Sequence, residues 1–172
     1  MVDDDGNEVP KDGKTLGEIS VQGNVVMTGY YNDPEATAAA IKDGWFYSGD
    51  AAVVHPDGYL EIRDRFKDVI ISGGENISSV EVEGCLLRHT AVMEVAVVGM
   101  PHEKWGEAPH AFVVLQDGAR ATEDELKLHV RENLAHFKTP QWISFVDDLP
   151  KTATGKVQKF VLRDGNAAIS TQ

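Results

Sequence analysis

One short charged segment of the sequence could bind an anionic ligand. Residues 61–67 read Glu-Ile-Arg-Asp-Arg-Phe-Lys, a pattern that predicts a strand. Because successive side chains of a strand point to opposite faces, Arg63, Arg65 and Lys67 would share one face. The pair Gly73-Gly74 follows after an apolar triplet. Glycine has no Cβ atom, so the backbone there can adopt positive φ and let a ligand or another strand approach closely.

A charged edge strand followed by a glycine turn also has a purely structural interpretation, since it prevents unwanted pairing between sheet edges. Two further residues favour ligand binding. Asp50 ends an aromatic run that begins at Trp45, and Lys156 follows the small, turn-prone residues 152–155. Each has an alternative as well, because Asp50 could close a turn and Lys156 could belong to an exposed basic tail.

Composition argues against two classes of partner. The 172 residues carry a formal charge of −12, which argues against general binding to nucleic acids or anionic membranes, because both need a cationic surface. The cations are unevenly distributed, which could create one local anion site. Seven of the 16 Lys and Arg residues fall in two stretches: Arg63, Arg65 and Lys67, then Lys151, Lys156, Lys159 and Arg163.

Several sequence features point to an ordinary cytoplasmic protein. The single cysteine, Cys85, excludes an internal disulfide, and we expect it to pack in the core. No apolar run approaches the roughly 20 residues of a membrane span. The acidic residues 3–5 are unlike a signal peptide, and residues 169–172 contain no peroxisomal tripeptide. The six histidines lack zinc-ligand spacing, so we predict no metal site.

The elements that would position these residues form two parts, with a boundary after residue 64. In the first part, short β-prone runs surround a helix opened by Asp33-Pro34, and residues 51–63 predict a hairpin. The second part has the order of strands and helices expected of a compact α+β domain. Its predicted elements are a helix capped by Ser78, a strand at 94–99, a loop at 101–109, a strand at 111–115, a helix capped by Thr122 and a strand at 142–146.

Three motifs in this order resemble the carboxyl-terminal part of the adenylate-forming enzymes, the superfamily of the AMP-forming acyl-CoA synthetases. The motifs are Asp-Gly-Trp-Phe-Tyr-Ser-Gly-Asp at 43–50, Asp-Arg-Phe-Lys-Asp to Val-Glu-Val-Glu at 64–83, and Pro-Lys-Thr-Ala-Thr-Gly-Lys at 150–156. The resemblance implies a β-rich end of the large AMP-binding domain at 1–64. It implies a carboxyl-terminal lid domain at 65–172, with a small three-stranded sheet and helices.

The resemblance also implies roles for individual side chains. Asp50 would accept hydrogen bonds from the ribose hydroxyls of ATP, and Arg65 would donate to the ribose or phosphate region. Lys67 would be the hinge about which the lid domain turns. Lys156 would be the catalytic residue, because its ammonium group would bridge carboxylate and phosphate oxygens while the acyl-adenylate forms.

A second part of the site is implied by the glycine turn. Gly73, Gly74 and Glu75 resemble the loop that lines the tunnel for the pantetheine arm of CoA, and Asn76 would lie near the adenylate. Glycine suits that place because a side chain would narrow the tunnel. Asn76 stands where relatives often carry Gln or Arg, and Trp105 stands where some relatives carry a basic residue that contacts CoA.

Together these roles imply an acid:CoA ligase that uses ATP, Mg²⁺ and CoA to activate a small carboxylate. The phosphate-binding loop and acyl segment of that superfamily do not occur in the sequence. We therefore expect this chain to be inactive alone and to require a missing amino-terminal domain. Two alternatives stay open: an adenylating enzyme that loads a carrier protein, and a noncatalytic truncated module that binds a nucleotide or a partner.

Overall fold

The chain divides after Lys67 into two units, Met1–Lys67 (unit 1) and Asp68–Gln172 (unit 2). The boundary predicted from the sequence lies a few residues earlier. The computed structural model describes residues 1–3 and 5–165, so the terminal residues 169–172 considered above lie outside the described part. Over that described part, the helices are all too short or too polar to cross a bilayer.

Unit 1 is built around one long strand that pairs with three others, all antiparallel. The strands are β1 (Gly17–Val21), β2 (Ile41–Lys42), β3 (Trp45–Val54) and β4 (Leu60–Arg65), and β3 is the shared partner. Residues 51–54 of β3 are buried, and they anchor the unit. The predicted hairpin is confirmed, because β3 and β4 pair on either side of the turn after Val54.

The helix α1 (Pro34–Ala40) of unit 1 begins as the sequence predicts. Asp33 caps it, because Oδ1 accepts a hydrogen bond from the Ala36 amide at 2.9 Å. The helix ends at Ala40, because the next two residues form strand β2 against β3. The reversal between these strands uses Asp43 and Gly44, both at positive φ.

A β-bulge in β4 changes the distribution of charge that the alternation predicted. Ala52 pairs with Ile62 but Ala51 pairs with Asp64, so Arg63 is an extra residue in the ladder. The strand then ends at Arg65, and residues 66–68 form a 3₁₀ turn. The prediction that three cations share one strand face is therefore wrong, because Lys67 lies beyond the strand.

Unit 2 confirms the α+β class, with a sheet of five strands rather than three. Two short strands join the predicted ones, because residues on both sides of the glycine turn pair with each other. The loop predicted at 101–109 is mostly strand, since long-range pairing of β7 with β8 extends through both of its prolines. The strands are β5 (Ile70–Ser72), β6 (Glu75–Ile77), β7 (Val92–His102), β8 (Gly106–Leu115) and β9 (Trp142–Phe145).

Within residues 68–165, three helices cover the two faces of this sheet: α2 (Ser79–Leu86), α3 (Glu123–Asn133) and α4 (Lys159–Arg163). Along β7, Val95 and Val97 face the core that contains residues of α2 and α3, whereas Ala96 and Val98 face the core that contains Leu162 of α4. This is the alternation of a strand buried on both faces. Cys85 is fully buried as predicted, and that burial raises the pKa of its thiol.

Both predicted helix caps of unit 2 are confirmed. Ser78 Oγ accepts a hydrogen bond from the Glu81 amide at 3.2 Å at the start of α2. At the start of α3, Thr122 Oγ1 accepts from the Glu125 amide, and the Glu125 carboxylate accepts from the Thr122 amide. This reciprocal arrangement is a complete capping box, and it fixes the direction in which α3 leaves the sheet.

The buried face of α3 provides a test of the fold. Leu126 is 0% exposed and Leu128, two residues on, is 54% exposed. We expect Leu126→Ala to lower the free energy of unfolding by about 2–5 kcal/mol, because it removes buried methyl groups and leaves a cavity. Leu128→Ala on the same helix is the matched control, expected within about 0.5 kcal/mol of the unsubstituted chain. Urea unfolding followed by circular dichroism measures both, and equal effects would contradict the assigned face of α3.

Candidate functional site

In unit 1 the structure brings Asp50 and Arg65 together. They are directly paired residues of β3 and β4, and Arg65 Nε lies 2.8 Å from Asp50 Oδ1. A regular ladder would set Asp50 opposite Asp64, so the bulge at Arg63 replaces a repulsive pair by an attractive one. Asp50 is one-quarter exposed and Arg65 about half exposed, so both remain accessible to a ligand.

The hinge candidate Lys67 lies apart from this strand pair. It is an exposed residue in the middle of the 3₁₀ turn at 66–68, at the boundary between the two units. The next residue, Asp68, is 8% exposed and forms an ion pair with Arg163 inside unit 2. If Lys67 is the hinge, the residue directly after it, Asp68, is therefore fixed within unit 2 by its ion pair.

The four loop candidates lie together in unit 2, in the hairpin formed by β5 and β6. Gly73 and Gly74 adopt φ of 61° and 88°, which side chains disfavour. Gly73 is also held by a hydrogen bond, since its amide donates to the Trp105 carbonyl at 3.0 Å. Glu75 and Asn76 begin β6 and are exposed.

Beside this turn lies a cavity of about 480 Å³ within unit 2, hereafter the α3 cavity. It combines cations with aromatic rings, which is the chemistry that binds an anionic, ring-containing ligand. Its lining residues that matter for this chemistry are Gly73, Glu75, Trp105, Lys127, Arg131, His136 and Phe137.

Sequence reasoning missed the cations of this cavity. Lys127 and Arg131 are four residues apart on α3, and this spacing places them on one face of the helix. Lys127 is partly occupied, since its Nζ lies 2.7 Å from Glu123 Oε1 and donates to the Gln141 carbonyl. Arg131 forms no ion pair within residues 1–3 and 5–165. The i, i+4 spacing of two cations was a signal that could have found them.

Trp105 lies in this cavity with its ring fixed by a neighbour. The His102 ring stacks on it, with centroids 4.4 Å apart and an angle of 15° between the planes. A Cβ atom added at Gly73 would lie 3.4 Å from Trp105 Cδ1, so the glycine turn and the indole ring are in close proximity. Trp105, which stands where some members of the superfamily carry a basic residue, is thus part of the cavity wall.

Lys156 lies in a different part of unit 2, in the loop formed by residues 151–157 (the lysine loop). The loop is closed by a β-bridge between Lys151 and Val157 and by a hydrogen bond from the Thr152 amide to the Lys156 carbonyl. The Lys156 amide donates to Thr152 Oγ1 at 3.1 Å. Lys156 is exposed and has no ion pair in the described part of the chain, so its ammonium group is available to a ligand.

The other end of the lysine loop is neutralised. Lys151 Nζ lies 2.7 Å from Glu94 Oε2 and 3.3 Å from Asp148 Oδ1. The hydrogen bond to Glu94 makes the largest contribution to raising the pKa of Lys151 above its ordinary value. Of these two lysines, Lys151 is therefore part of the internal ion pairs and Lys156 is the one presented to a ligand.

Comparisons with known proteins agree with this arrangement of motifs. Residues 81–156 match the family described as the AMP-binding enzyme C-terminal domain. The chain is 56% identical over 162 residues to a 2-methylpropanoate–CoA ligase of Humulus lupulus, a match covering 92% of this chain and 29% of that relative. It is 54% identical over 164 residues to 4-hydroxybutyrate–CoA ligase 2 of Metallosphaera sedula, with 95% and 30% coverage. It thus spans less than a third of the length of these curated relatives.

Solved structures give the same result for the fold. Structures similar to this chain include ATP-bound MatB from Rhodopseudomonas palustris, with a TM-score of 0.86, 38% identity and coverage of 96% of this chain and 33% of that one. The o-succinylbenzoate CoA synthetase of Bacillus subtilis in complex with its acyl-adenylate has a TM-score of 0.88 and 37% identity, with 99% and 34% coverage. The amide bond synthetase McbA from Marinactinospora thermotolerans has a TM-score of 0.85 and 37% identity, with 96% and 34% coverage.

The glycine turn provides a test that does not depend on activity. We expect Gly73→Ala to lower the free energy of unfolding by about 1–2 kcal/mol, because alanine is strained at this positive φ. Gly84→Ala within α2 is the control, since a Cβ there meets nothing within 4 Å. That substitution should stabilise by about 0.5–1 kcal/mol. Urea unfolding of both variants measures these changes in the free energy of unfolding. A Gly73→Ala variant as stable as the unsubstituted chain would contradict the strained turn.

Proposed function

The chain corresponds to the carboxyl-terminal part of an adenylate-forming enzyme, and on this premise we propose that it forms that part of an ATP-dependent acid:CoA ligase. In such a ligase, ATP converts a carboxylate into an acyl-adenylate and CoA then takes the acyl group. One observation carries the proposal more than any other. Lys156, the last residue of the matched segment, is exposed without an ion pair within residues 1–3 and 5–165, in a loop closed by its own backbone.

Lys156 acts in the first half-reaction. A carboxylate oxygen of the substrate attacks the α-phosphorus of ATP, and the bond from that phosphorus to the pyrophosphate oxygen breaks. Negative charge develops on the oxygens around phosphorus as this happens. A lysine ammonium near those oxygens stabilises the transition state, and losing such a donor typically costs about 10²–10³ in rate. Lysine suits the task because it is a compact charge on a flexible stem.

Asp50 and Arg65 hold the nucleotide. The Asp50 carboxylate accepts hydrogen bonds from the ribose hydroxyls, which need an acceptor with two oxygens. Arg65 keeps this carboxylate oriented, since its Nε already lies 2.8 Å from Oδ1. Mg²⁺ would accompany the phosphates of ATP, because it prefers phosphate and water oxygens. The described residues contain no cluster of ligands for a metal ion, so the proposal assigns none of them to Mg²⁺.

The α3 cavity holds the nucleotide end of CoA in the second half-reaction. CoA carries an adenine ring and several phosphate groups, and the cavity offers Trp105 together with Arg131 and Lys127. Gly73 and Glu75 line the same cavity, so the pantetheine arm can leave it along the glycine turn. Lys67 would be the hinge that exchanges this surface for the lysine loop between the two half-reactions.

The fold alone does not select CoA as the acceptor. The chain resembles an amide bond synthetase about as closely as it resembles a CoA synthetase, with TM-scores of 0.85 and 0.88. The cationic and aromatic lining of the α3 cavity favours CoA over an amine or a carrier protein, since neither presents adenine beside phosphates. We also propose that an upstream domain supplies the phosphate loop and the acyl pocket, and that the protein is cytoplasmic.

A chimera tests the proposal directly. The carboxyl-terminal part of the 2-methylpropanoate–CoA ligase of Humulus lupulus, equivalent to 29% of its length, is replaced by this chain. We expect the chimera to release pyrophosphate with ATP and 2-methylpropanoate and to form the thioester with CoA. A folded chimera without either activity, beside an active parent ligase, would contradict the proposal.

Lys156→Ala separates the two half-reactions in this chimera. We expect adenylate formation to fall by about 10²–10³, because the ammonium group at the α-phosphate is lost. Thioester formation from supplied acyl-adenylate should stay within about twofold, since Lys156 acts only in the first step. Pyrophosphate exchange and thioester assays measure the two steps. Lys11→Ala, a substitution of an exposed lysine of unit 1, is the control. An equal loss of both steps in Lys156→Ala would contradict the role assigned to Lys156.

Arg131→Ala tests the cavity as the CoA site. We expect the KM for CoA to rise about tenfold, because a charge-assisted hydrogen bond to phosphate is lost. The KM for pantetheine, which lacks the nucleotide phosphates, should not change. Steady-state thioester formation with both acceptors measures this difference. Arg120→Ala, an exposed arginine that does not line the cavity, is the control, and an equal rise for both acceptors would refute phosphate binding by Arg131.

A further inference from the structure

The short helix α4 (Lys159–Arg163) follows the lysine loop and must hold it in place. A helix of five residues is far below the length at which helices are stable alone, so its position depends on tertiary contacts. One contact is apolar, since Leu162 is 0% exposed and belongs to the core beneath β7 and β8. Two ionic contacts lie at its first and last residues.

At the start of α4, Lys159 is attached to α2. Its Nζ donates to Ser79 Oγ at 2.6 Å and lies 2.7 Å from Glu83 Oε1. The side chains of Lys159 and Glu83 are only 16% and 17% exposed, so this pair is largely shielded from water. Glu83 Oε1 also accepts a hydrogen bond from the Val97 amide of β7 at 2.8 Å. One carboxylate therefore joins α4, α2 and the central sheet.

At the end of α4, Arg163 is attached to the residue after the hinge candidate. Its guanidinium group donates to Asp68 Oδ1 at 2.5 Å, and the Asp68 side chain is 11% exposed. Asp68 follows Lys67 directly in the sequence. The first residue of unit 2 is thus tied to the helix that follows the lysine loop.

The pairs differ in how far water reaches them: the Lys159–Glu83 side chains are the most shielded, and in the Arg163–Asp68 pair the carboxylate is 11% and the guanidinium group 28% exposed. Lys151 and Glu94 are each about one-third exposed, and ion pairs of that kind contribute little. Breaking a buried pair by removing one partner has a much larger effect, because the remaining charge stays shielded from water. The loop should consequently loosen most when a contact of α4 is broken.

We propose that Glu83 and Asp68 are positioning residues for Lys156. This inference rests on the proposed function, since it assumes that Lys156 acts in adenylate formation. The two carboxylates hold α4, and with it the lysine loop, against the sheet of unit 2. A turn at Lys67 then carries Lys156 to the α-phosphate without a change in the loop. A displacement of about 1 Å at a reacting group can cost about 10² in rate, so a distant carboxylate can control the first step.

Glu83→Gln and Asp68→Asn in the chimera test the proposal. We expect kcat for adenylate formation to fall by about 10- to 100-fold with little change in the KM for ATP, because neither residue touches the nucleotide. Thioester formation from supplied acyl-adenylate should stay within about twofold. Lys159→Met, which breaks the Glu83 pair from the other side, should give the same pattern. Equal loss of both half-reactions would mean a merely structural role and would overturn the proposal.

Glu81→Gln is the matched control. Glu81 also lies on α2 and also pairs with a lysine, since Lys138 Nζ is 2.6 Å from its Oε2. That pair ties α2 to the 3₁₀ turn at 136–138 and does not involve α4. Glu81→Gln should leave adenylate formation close to that of the unsubstituted chimera. A loss of adenylation equal to that of Glu83→Gln would overturn the proposal.

Hydrogen exchange on the unsubstituted chain and its variants tests the positioning role without an activity assay. We expect the Thr152 and Lys156 amides to exchange at least about tenfold faster in Glu83→Gln and Asp68→Asn, because the loop opens more often. Glu81→Gln should leave them unchanged. If the chimera is inactive, the proposed function fails, and unchanged exchange in Glu83→Gln would then also overturn the positioning role. Faster exchange with normal adenylation in an active chimera would overturn it as well.

Discussion

The pairing of β7 with β8 is the constraint on which unit 2 depends. The ladder runs from Val92 opposite Leu115 to His102 opposite Gly106, and residues such as Val97 and Val98 are buried on its two faces. At one end, its turn places Trp105 over Gly73 and so forms a wall of the α3 cavity. In its middle, the Val97 amide holds Glu83 and thereby the helix after the lysine loop. One hairpin therefore positions both surfaces to which the proposed function assigns the two half-reactions.

Sequence patterns correctly predicted the features that depend on interactions between residues close together in the sequence. The caps at Ser78 and Thr122, the hairpin after Val54 and the burial of Cys85 all depend on nearby residues or on simple alternation. Strands β5 and β6 have only three residues each, too few for a recognisable period, and they form because the glycine turn lets them pair. The prolines at 101 and 109 indicated a loop, but long-range pairing along β7 and β8 prevailed over that local signal.

The candidate site shows the same limit. The sequence motifs indicated Asp50, Arg65 and Lys156 as site residues. The strand register that pairs Asp50 with Arg65, however, depends on a bulge at Arg63, which the alternation of side chains does not reveal. The α3 cavity was not predicted, because its wall combines a helix face, a hairpin turn and a 3₁₀ turn that are distant in the sequence. Such a site exists only once the tertiary structure has formed.

Charge pairing separates structural cations from those that are free to bind. A chain with a net charge of −12 repels anionic substrates at long range, so binding requires cations that the protein has not already neutralised. Lys151, Lys159 and Arg163 each form an ion pair with a carboxylate of their own unit. Lys156 and Arg131 form none within residues 1–3 and 5–165; Lys156 is exposed in the lysine loop, and Arg131 lines the α3 cavity. Clustering in the sequence marked the region of Lys156 but not Arg131, whereas the pattern of ion pairs identifies both as side chains that can take a ligand.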